Sequence, residues 1–330
     1  MIQLCGDISN GKEPVPVSLF APSSAYALPK FTYTTSVLIR KEACLSSRFR
    51  KGCSCDTDCL FNDSCCCKNV SIDSILCNKG GVTESSSDHS LTSTYISECH
   101  ESCTCSRNCA NKVTQSPLTF QFHVRHCGSK GWGLFASEHI PAKSFLFHYA
   151  GKFVEEQEIA AEDINDYVFM ISAENEPLAY SFIDASSYGN LSRFVNHSCV
   201  PNCFAIRVLS GFEDQRFSRI CFFSRQDIQP SEEITIDYSD SYWNYKGHAK
   251  CLCKQRECRY GKNALSKSEV QMDPLQLFSD FSLNKFKLEL TKLTGILLLL
   301  ELKMHVRTPR FIFASKGIKD TAVCEERRRH

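Results

Sequence analysis

Eleven of the chain's 21 cysteines fall between Cys53 and Cys109. A segment that dense in thiols is either a disulfide framework or a metal cluster. The N-terminus, Met1-Ile2-Gln3-Leu4-Cys5-Gly6-Asp7, lacks the basic and then apolar run of a secretory signal. A reducing, intracellular setting and thiolate–metal bonds are therefore expected. The order is Cys53-x-Cys55-x3-Cys59-x5-Cys65-Cys66-Cys67, then Cys99-x3-Cys103-x-Cys105-x3-Cys109. A C-x-C pair sets two sulfurs side by side, which suits bridged metals better than one isolated finger. Taking Cys65 and Cys67 from the triplet leaves nine ligands: Cys53, Cys55, Cys59, Cys65, Cys67, Cys99, Cys103, Cys105 and Cys109. Three tetrahedral zinc ions need twelve ligand positions, and nine thiolates supply them if three of the nine bridge. Cys66 and Cys77 are then spare. Such a closed, all-thiolate cluster is structural, since it keeps no open position for chemistry. Further on, Cys251-x-Cys253-x4-Cys258 offers three thiolates, one short of a tetrahedron.

The rest of the chain is globular in composition, with 42% hydrophobic and 23% charged residues over 330 positions. A net charge of +1 argues against broad binding of a phosphate backbone and leaves weak or no sequence-specific DNA binding. Composition shifts divide the chain into residues 1–45, an extended proline-bearing strap; 46–117, the cysteine block; 118–240; 241–262, again cysteine-rich; and 263–330. Runs at 118–124, 145–149, 180–184, 206–209, 219–223 and 234–238 are strand-length and rich in aromatic and β-branched residues. The run 155–163 is the best helix former among them, and 80–94 reads as a polar loop. The apolar run 295–300 is too short to span a bilayer, so no membrane association is expected.

Taken together, the ordered motifs resemble a known family. The cysteine spacing, with Arg107-Asn108-Cys109-Ala110-Asn111, is similar to the pre-SET domain of histone lysine methyltransferases of the suppressor-of-variegation and euchromatic class. Asp7-Ile8-Ser9-Asn10-Gly11 resembles the lead-in of that class. Gly131-Trp132-Gly133-Leu134 resembles the cofactor turn of SET domains. Arg193-Phe194-Val195-Asn196-His197-Ser198-Cys199-Val200-Pro201-Asn202 resembles their most specific signature, and Glu232-Glu233-Ile234-Thr235-Ile236-Asp237-Tyr238 the one ending in the catalytic tyrosine. The resemblance covers residues 5 to 262. It implies a mainly β SET fold of small curved sheets around a pseudoknot, with an N-terminal zinc-cluster pre-SET domain (46–117), a catalytic domain (118–240) and a post-SET zinc segment (241–262). Residues 263–330 match nothing in the family.

The resemblance also assigns roles. S-adenosylmethionine would be held by Lys130, Gly131, Trp132, Gly133, Arg193, Asn196, His197 and Tyr238. Catalysis would fall to Tyr238, Tyr149 and Tyr167. The substrate-lysine channel would be lined by Tyr149, Tyr167, Phe169, Ile236 and Tyr242. Cys199 would complete the Cys251, Cys253, Cys258 site around a fourth zinc. Methyl transfer from a sulfonium to an amine is an in-line displacement, and it needs a neutral, aligned, desolvated amine rather than a protein nucleophile.

The implied substrate is the histone H3 tail on the nucleosome, at lysine 9, in the nucleus and on the chromosome, with chromatin-targeting proteins as further partners. Several positions depart from the family. Lys152 stands where Glu is usual and Val200 where Asp is usual. Asn165 and Met170 replace acidic groups that help bind a basic peptide. Ile236 stands where Phe or Tyr sets methyl number, and an apolar residue there leaves room for di- or trimethylation. These departures motivate a second reading, a chromatin-binding module that holds histone tails without transferring methyl groups.

Overall fold

The computed structural model describes residues 1–56, 59, 62, 64–67, 95–159, 165–172, 180–247 and 249–261. The polar stretch 80–94, Cys77, the second half of the expected helix at 155–163 and all of 263–330 lie outside the described residues. No helix among the described residues is long and apolar enough to cross a membrane.

Short strands dominate: β1 (Ile2–Cys5), β2 (Ser18–Ala21), β3 (Thr32–Tyr33), β4 (Tyr95–Ser97), β5 (Phe122–His126), β6 (Trp132–Ala136), β7 (Phe145–His148) and β8 (Lys152–Glu155). They continue with β9 (Val168–Ser172), β10 (Tyr180–Asp184), β11 (Tyr188–Gly189), β12 (Asn196–His197), β13 (Cys203–Leu209), β14 (Arg219–Ser224) and β15 (Thr235–Ile236). Among the described residues two short α-helices accompany them, α1 (Lys41–Ser46) and α2 (Ser239–Lys246). The strands form small separate sheets with orders β1-β2-β5-β6, β8-β10-β9 and β4-β13-β14-β7, plus the two-stranded pairs β11-β3 and β12-β15. The mainly β architecture expected from the sequence is therefore present.

Period-two alternation explains the largest hydrophobic contacts. On β13, Phe204, Ile206 and Val208 face one core, and on β14 Cys221 and Phe223 join them. Ile220 and Phe222 of β14 turn the other way, into the main core with Val124, Leu134, Leu146 and Tyr149. A sheet covered on both faces has few polar positions, and this is why β14 reads Arg-Ile-Cys-Phe-Phe-Ser with almost no alternation of polarity.

Of the run 155–163, residues 155–159 are described. They begin with a single 3-10 turn, Glu156–Glu158, closed by a capping box between Glu155 and Glu158. Ile159 is already extended, with φ −104° and ψ 119°, so these described residues hold one turn and not a continuous helix. The strand expected at 234–238 shrinks to Thr235–Ile236, because the chain turns into α2 immediately after Tyr238.

The cysteine block is tied to the main sheet through Glu98. β4 lies parallel to β13, and the Glu98 N–H donates to the Leu209 carbonyl at 3.0 Å. The Glu98 carboxylate, 2% exposed, accepts from Thr114 N–H (2.8 Å), Thr114 Oγ1 (2.9 Å), Gln115 Nε2 (3.0 Å) and Arg219 Nη2 (3.4 Å). Removing one partner of a buried pair leaves the others uncompensated, at a cost of about 3–5 kcal/mol. Glu98→Ala is expected to lower the thermal midpoint by that measure of stability, and Glu98→Gln by less. Equal melting of parent and Glu98→Ala would contradict this role.

Candidate functional site

Two peptide segments meet at the centre of the site. Asn196 and His197 of β12 run parallel to Thr235 and Ile236 of β15. The pairing is only two residues long, and the buried Asn202 side chain reinforces it. Its Oδ1 accepts from Thr235 N–H (2.9 Å) and Oγ1 (3.2 Å), while its Nδ2 donates to Glu232 Oε1 and the Glu233 carbonyl (2.8 Å each). Ser198 N–H adds a bond to the Ile236 carbonyl at 2.9 Å. The signature's last residue is thus the clamp that holds its first functional residues in register.

The expected cofactor residues come together around Glu233, a residue to which the sequence assigned no role. Lys130 Nζ pairs with Glu233 Oε2 at 2.5 Å, and Asn196 Nδ2 donates to Glu233 Oε1 at 2.8 Å and to the Trp132 carbonyl at 3.2 Å. Gly131 adopts φ +75°, a conformation that side chains disfavour. A Cβ on Gly133 would lie 2.8 Å from Glu233 Oε1 and 3.1 Å from Asn196 Nδ2, so a side chain there would have to displace the Glu233 carboxylate from its present place. Arg193 lies over the rings of Tyr167 (4.2 Å) and Phe31 (4.3 Å) and spends Nε and Nη2 on the carbonyls of Ala185 and Ser186. Its Nη1 is buried with no hydrogen-bond partner, an unspent donor suited to an anionic group such as a cofactor carboxylate. Close backbone approach and an orphan guanidinium nitrogen therefore fit a bound cofactor of that kind.

The tyrosines form a second cluster beside the first. Tyr238 Oη donates to the Val195 carbonyl at 2.6 Å, and its backbone N–H donates to His197 Nδ1 at 3.1 Å. Tyr149 Oη donates to the Tyr167 carbonyl at 2.8 Å, and its ring lies 5.4 Å from Phe169. Tyr242 meets Tyr238 edge-on at 4.8 Å and donates its hydroxyl to Asp166 Oδ1 at 3.0 Å. Burial, with neighbouring hydroxyls and acids behind it, raises the Tyr238 phenol well above its ordinary value, and burial likewise raises Tyr149. Both therefore stay protonated near neutral pH and act as donors, never as bases. Ile236 is buried in the main core, which also contains Tyr149.

His197 links this cluster to the second cysteine site. Burial lowers it to about 4, more than the carboxylate of Asp237, 3.6 Å away, raises it. The ring is neutral, with Nδ1 accepting from Tyr238 and Nε2 3.3 Å from Cys199 Sγ. Trp243 and Tyr260, stacked at 4.9 Å, cover the ring from the other side, where no sequence motif singled them out.

The sulfur spacing discriminates between disulfides and metal. A Zn–S bond of about 2.3 Å makes tetrahedral sulfurs about 3.8 Å apart, against about 2.05 Å in a disulfide. Cys53 lies 3.7 Å from Cys59 and 3.9 Å from Cys99, Cys67 lies 3.5 Å from Cys103, and Cys199 lies 3.9 Å from both Cys251 and Cys258. Four sets have all their sulfurs within 4.8 Å of one another: Cys53, Cys59, Cys99 and Cys105; Cys53, Cys67, Cys99 and Cys103; Cys53, Cys55, Cys59 and Cys65; and Cys199, Cys251, Cys253 and Cys258. Cys53 belongs to all of the first three, Cys59 to the first and third, and Cys99 to the first and second, so neighbouring sets share sulfurs as bridged metals require. Cys109 packs in the same buried cluster, whereas Cys66 points out to solvent. The donor chemistry and spacing fit zinc at both places.

Residues 9–112 match the Pre-SET motif and residues 131–239 match the SET domain. The chain belongs to the SET-domain family, with a pre-SET motif ahead of the SET domain. Its homologues are histone-lysine N-methyltransferases. EHMT1 of Mus musculus is 35% identical over 176 residues, covering 53% of this chain and 13% of that protein. The H3 lysine-9 specific SUVH5 of Arabidopsis thaliana is 31% identical over 265 residues, covering 77% of this chain and 32% of that protein. The chain thus spans well under half of the length of these curated relatives. KRYPTONITE, solved in complex with mCHH DNA, an H3(1-15) peptide and SAH, superimposes with a TM-score of 0.61 at 29% identity, covering 78% of this chain and 53% of that one.

If the second cysteine site holds a tetrahedral metal, Cys251→Ser should release about one equivalent fewer metal ions to a thiol-reactive chelator assay than the parent. Unchanged metal release, or free protein with paired rather than free thiols on mass analysis, would contradict the assignment.

Proposed function

We propose that the protein is an S-adenosylmethionine-dependent histone lysine methyltransferase acting on the histone H3 tail, at lysine 9, with di- or trimethylation as product. The observation that carries the reading is the junction of Asn196, His197 and Tyr238: one two-residue strand pairing holds the cofactor-side amide, the imidazole and the catalytic phenol together. The H3 lysine-9 specificity of SUVH5 and the H3 peptide and SAH bound to KRYPTONITE support the substrate and cofactor classes. The homologues' chromatin substrates support a nuclear, chromosomal location. Three zinc ions in the pre-SET cluster and one in the post-SET site complete the cofactor set.

S-adenosylmethionine, when bound, supplies an electrophilic methyl group on a sulfonium. Lys130, the backbone of Gly131, Trp132 and Gly133, and Asn196 and His197 would hold it, with Arg193 Nη1 taking its carboxylate. The substrate amine would arrive between Tyr149, Tyr167, Phe169, Ile236 and Tyr242. That aromatic wall disfavours the ammonium form and so helps leave the nitrogen lone pair free. The Val195 carbonyl and the Tyr238 hydroxyl, already bonded to each other, provide oxygens for the weak C–H···O contacts that orient a methyl group in flight. Because both phenols stay protonated, the proton lost by the ammonium goes to solvent. Ile236 carries no hydroxyl with which to hold a water or an amine in one orientation, and this leaves room for a second and third methyl group.

Recombinant H3 and labelled S-adenosylmethionine provide the test. The expected result is transfer by the parent, at least di-methylated product by mass, and a loss of about a hundredfold or more in Tyr238→Phe. A folded, zinc-loaded parent that transfers nothing to any core histone would sink the enzyme reading in favour of a histone-tail binding module.

A further inference from the structure

The strap ahead of the cysteine block reaches the site through two side chains, Phe31 and Tyr33. Both lie ahead of residues 131–239, which match the SET domain. β3, which holds Thr32 and Tyr33, runs parallel to β11. Thr32 N–H donates to the Ser187 carbonyl (2.8 Å) and Thr34 N–H to the Gly189 carbonyl (2.9 Å). This pairing lays the strap beside the 3-10 turn Leu191–Phe194, which carries Arg193. The first N–H of that turn, on Leu191, is one that a helical turn cannot satisfy from within, and it donates to Tyr33 Oη at 3.3 Å. The same hydroxyl donates to Glu13 Oε1 at 3.0 Å, and the Tyr33 carbonyl accepts from Lys12 Nζ at 2.6 Å. Tyr33, 4% exposed, is thus held at both ends. Half-buried Phe31 faces the turn itself. Its ring centroid lies 4.3 Å from the Arg193 guanidinium carbon, and it meets Phe194 edge-on at 5.8 Å.

We propose that Phe31 and Tyr33 are positioning residues for cofactor binding. Phe31 sets the tilt of the Arg193 guanidinium, and Tyr33 sets the turn from which it projects. The inference rests on the methyltransferase reading of the site, in which Arg193 Nη1 takes the cofactor carboxylate. The bonds from Nε and Nη2 to the Ala185 and Ser186 carbonyls point outward along the guanidinium's edge, and they fix its rotation within its own plane. Tilt of that plane is resisted by contact with its faces. The rings of Phe31 at 4.3 Å and Tyr167 at 4.2 Å supply this contact, by stacking and by cation–π attraction. Tyr167 belongs to the lysine channel. Phe31 touches no substrate in this reading, so its contribution is to orientation alone. An arginine already held in its binding orientation loses less rotamer freedom when the ligand arrives, and that saving appears as affinity.

The test is calorimetric titration of SAH into the full, zinc-loaded chain and its variants, with a melting curve for each. Phe31→Leu keeps an apolar side chain and removes the ring face, whereas Phe31→Tyr keeps the face. SAH binding is expected to be about three- to tenfold weaker in Phe31→Leu and unchanged in Phe31→Tyr. Tyr33→Phe removes the hydroxyl alone and is expected to weaken SAH by about two- to fivefold. An Arg193→Lys background separates positioning from general packing. There the planar group is gone, and Phe31→Leu should cost less than about twofold more, whereas a packing defect would cost as much as in the parent. Parent-like SAH binding by Phe31→Leu, no rescue by Phe31→Tyr, or losses that simply add would overturn the proposal. If Phe31→Leu does not fold, Tyr33→Phe decides alone, and parent-like binding by it overturns the proposal. Methyl transfer is measured separately. A parent that binds SAH without transferring a methyl group removes the enzyme reading and leaves the role of the strap standing, while a parent that binds no SAH removes both.

Discussion

The side chain of Asn202 joins the two segments on which the site depends. A parallel pairing of two residues is too short to be stable by itself, yet Asn196, His197, Glu233 and Tyr238 all take their positions from it. Asn202 is buried and spends its amide on four contacts, two accepted from Thr235 and two donated across Glu232 and Glu233. A fully satisfied buried polar group of this kind fixes one register, because any slip leaves donors and acceptors stranded in a low dielectric. The Asn196–Glu233–Lys130 chain then follows from that register, and a Cβ at Gly133 would press on it.

A second dependency runs through sulfur. Cys199 lies two residues beyond His197, and the imidazole stands between its sulfur and the Tyr238 backbone. Whatever holds Cys199, Cys251, Cys253 and Cys258 together also fixes one side of the tyrosine cluster. It also draws residues 251–261 over the site, where Tyr260 stacks on Trp243 and both cover His197. The pre-SET sulfurs are farther from the chemistry and reach it mechanically, through Glu98 and Arg219 to β14, whose Phe222 packs against Tyr149.

Much of this was legible in the sequence because thiol spacing and the two signatures are local. The nine pre-SET cysteines and Cys251, Cys253 and Cys258 are recognised by their intervals, Cys199 by the resemblance alone, and the structure gathers both sets. The strands at 180–184, 206–209 and 219–223 were legible as apolar runs of the right length. What escaped was set by partners distant in sequence. Glu233 looks like any acid beside a strand until Lys130, 103 residues away, pairs with it. Glu98 has no neighbour in sequence that betrays its burial against Arg219. Strands β1, β2 and β3 are too short for a period to show; β2 pairs with the edge of β5, β1 adds to β2, and β3 pairs with β11. In the run 155–163 the described residues hold one 3-10 turn, Glu156–Glu158, because propensity averages over the run whereas the capping box acts at one turn.

Calorimetric titration of SAH into the parent and into Asn202→Ala tests the dependence of the site on that one clamp. The expected result is a variant that keeps its cysteine-bound metal and its β signature but binds SAH at least about tenfold more weakly, since two or more buried hydrogen bonds are left unmade. A variant that binds SAH as the parent does would show that β12 and β15 hold their register without Asn202, and the central role given to it would be wrong.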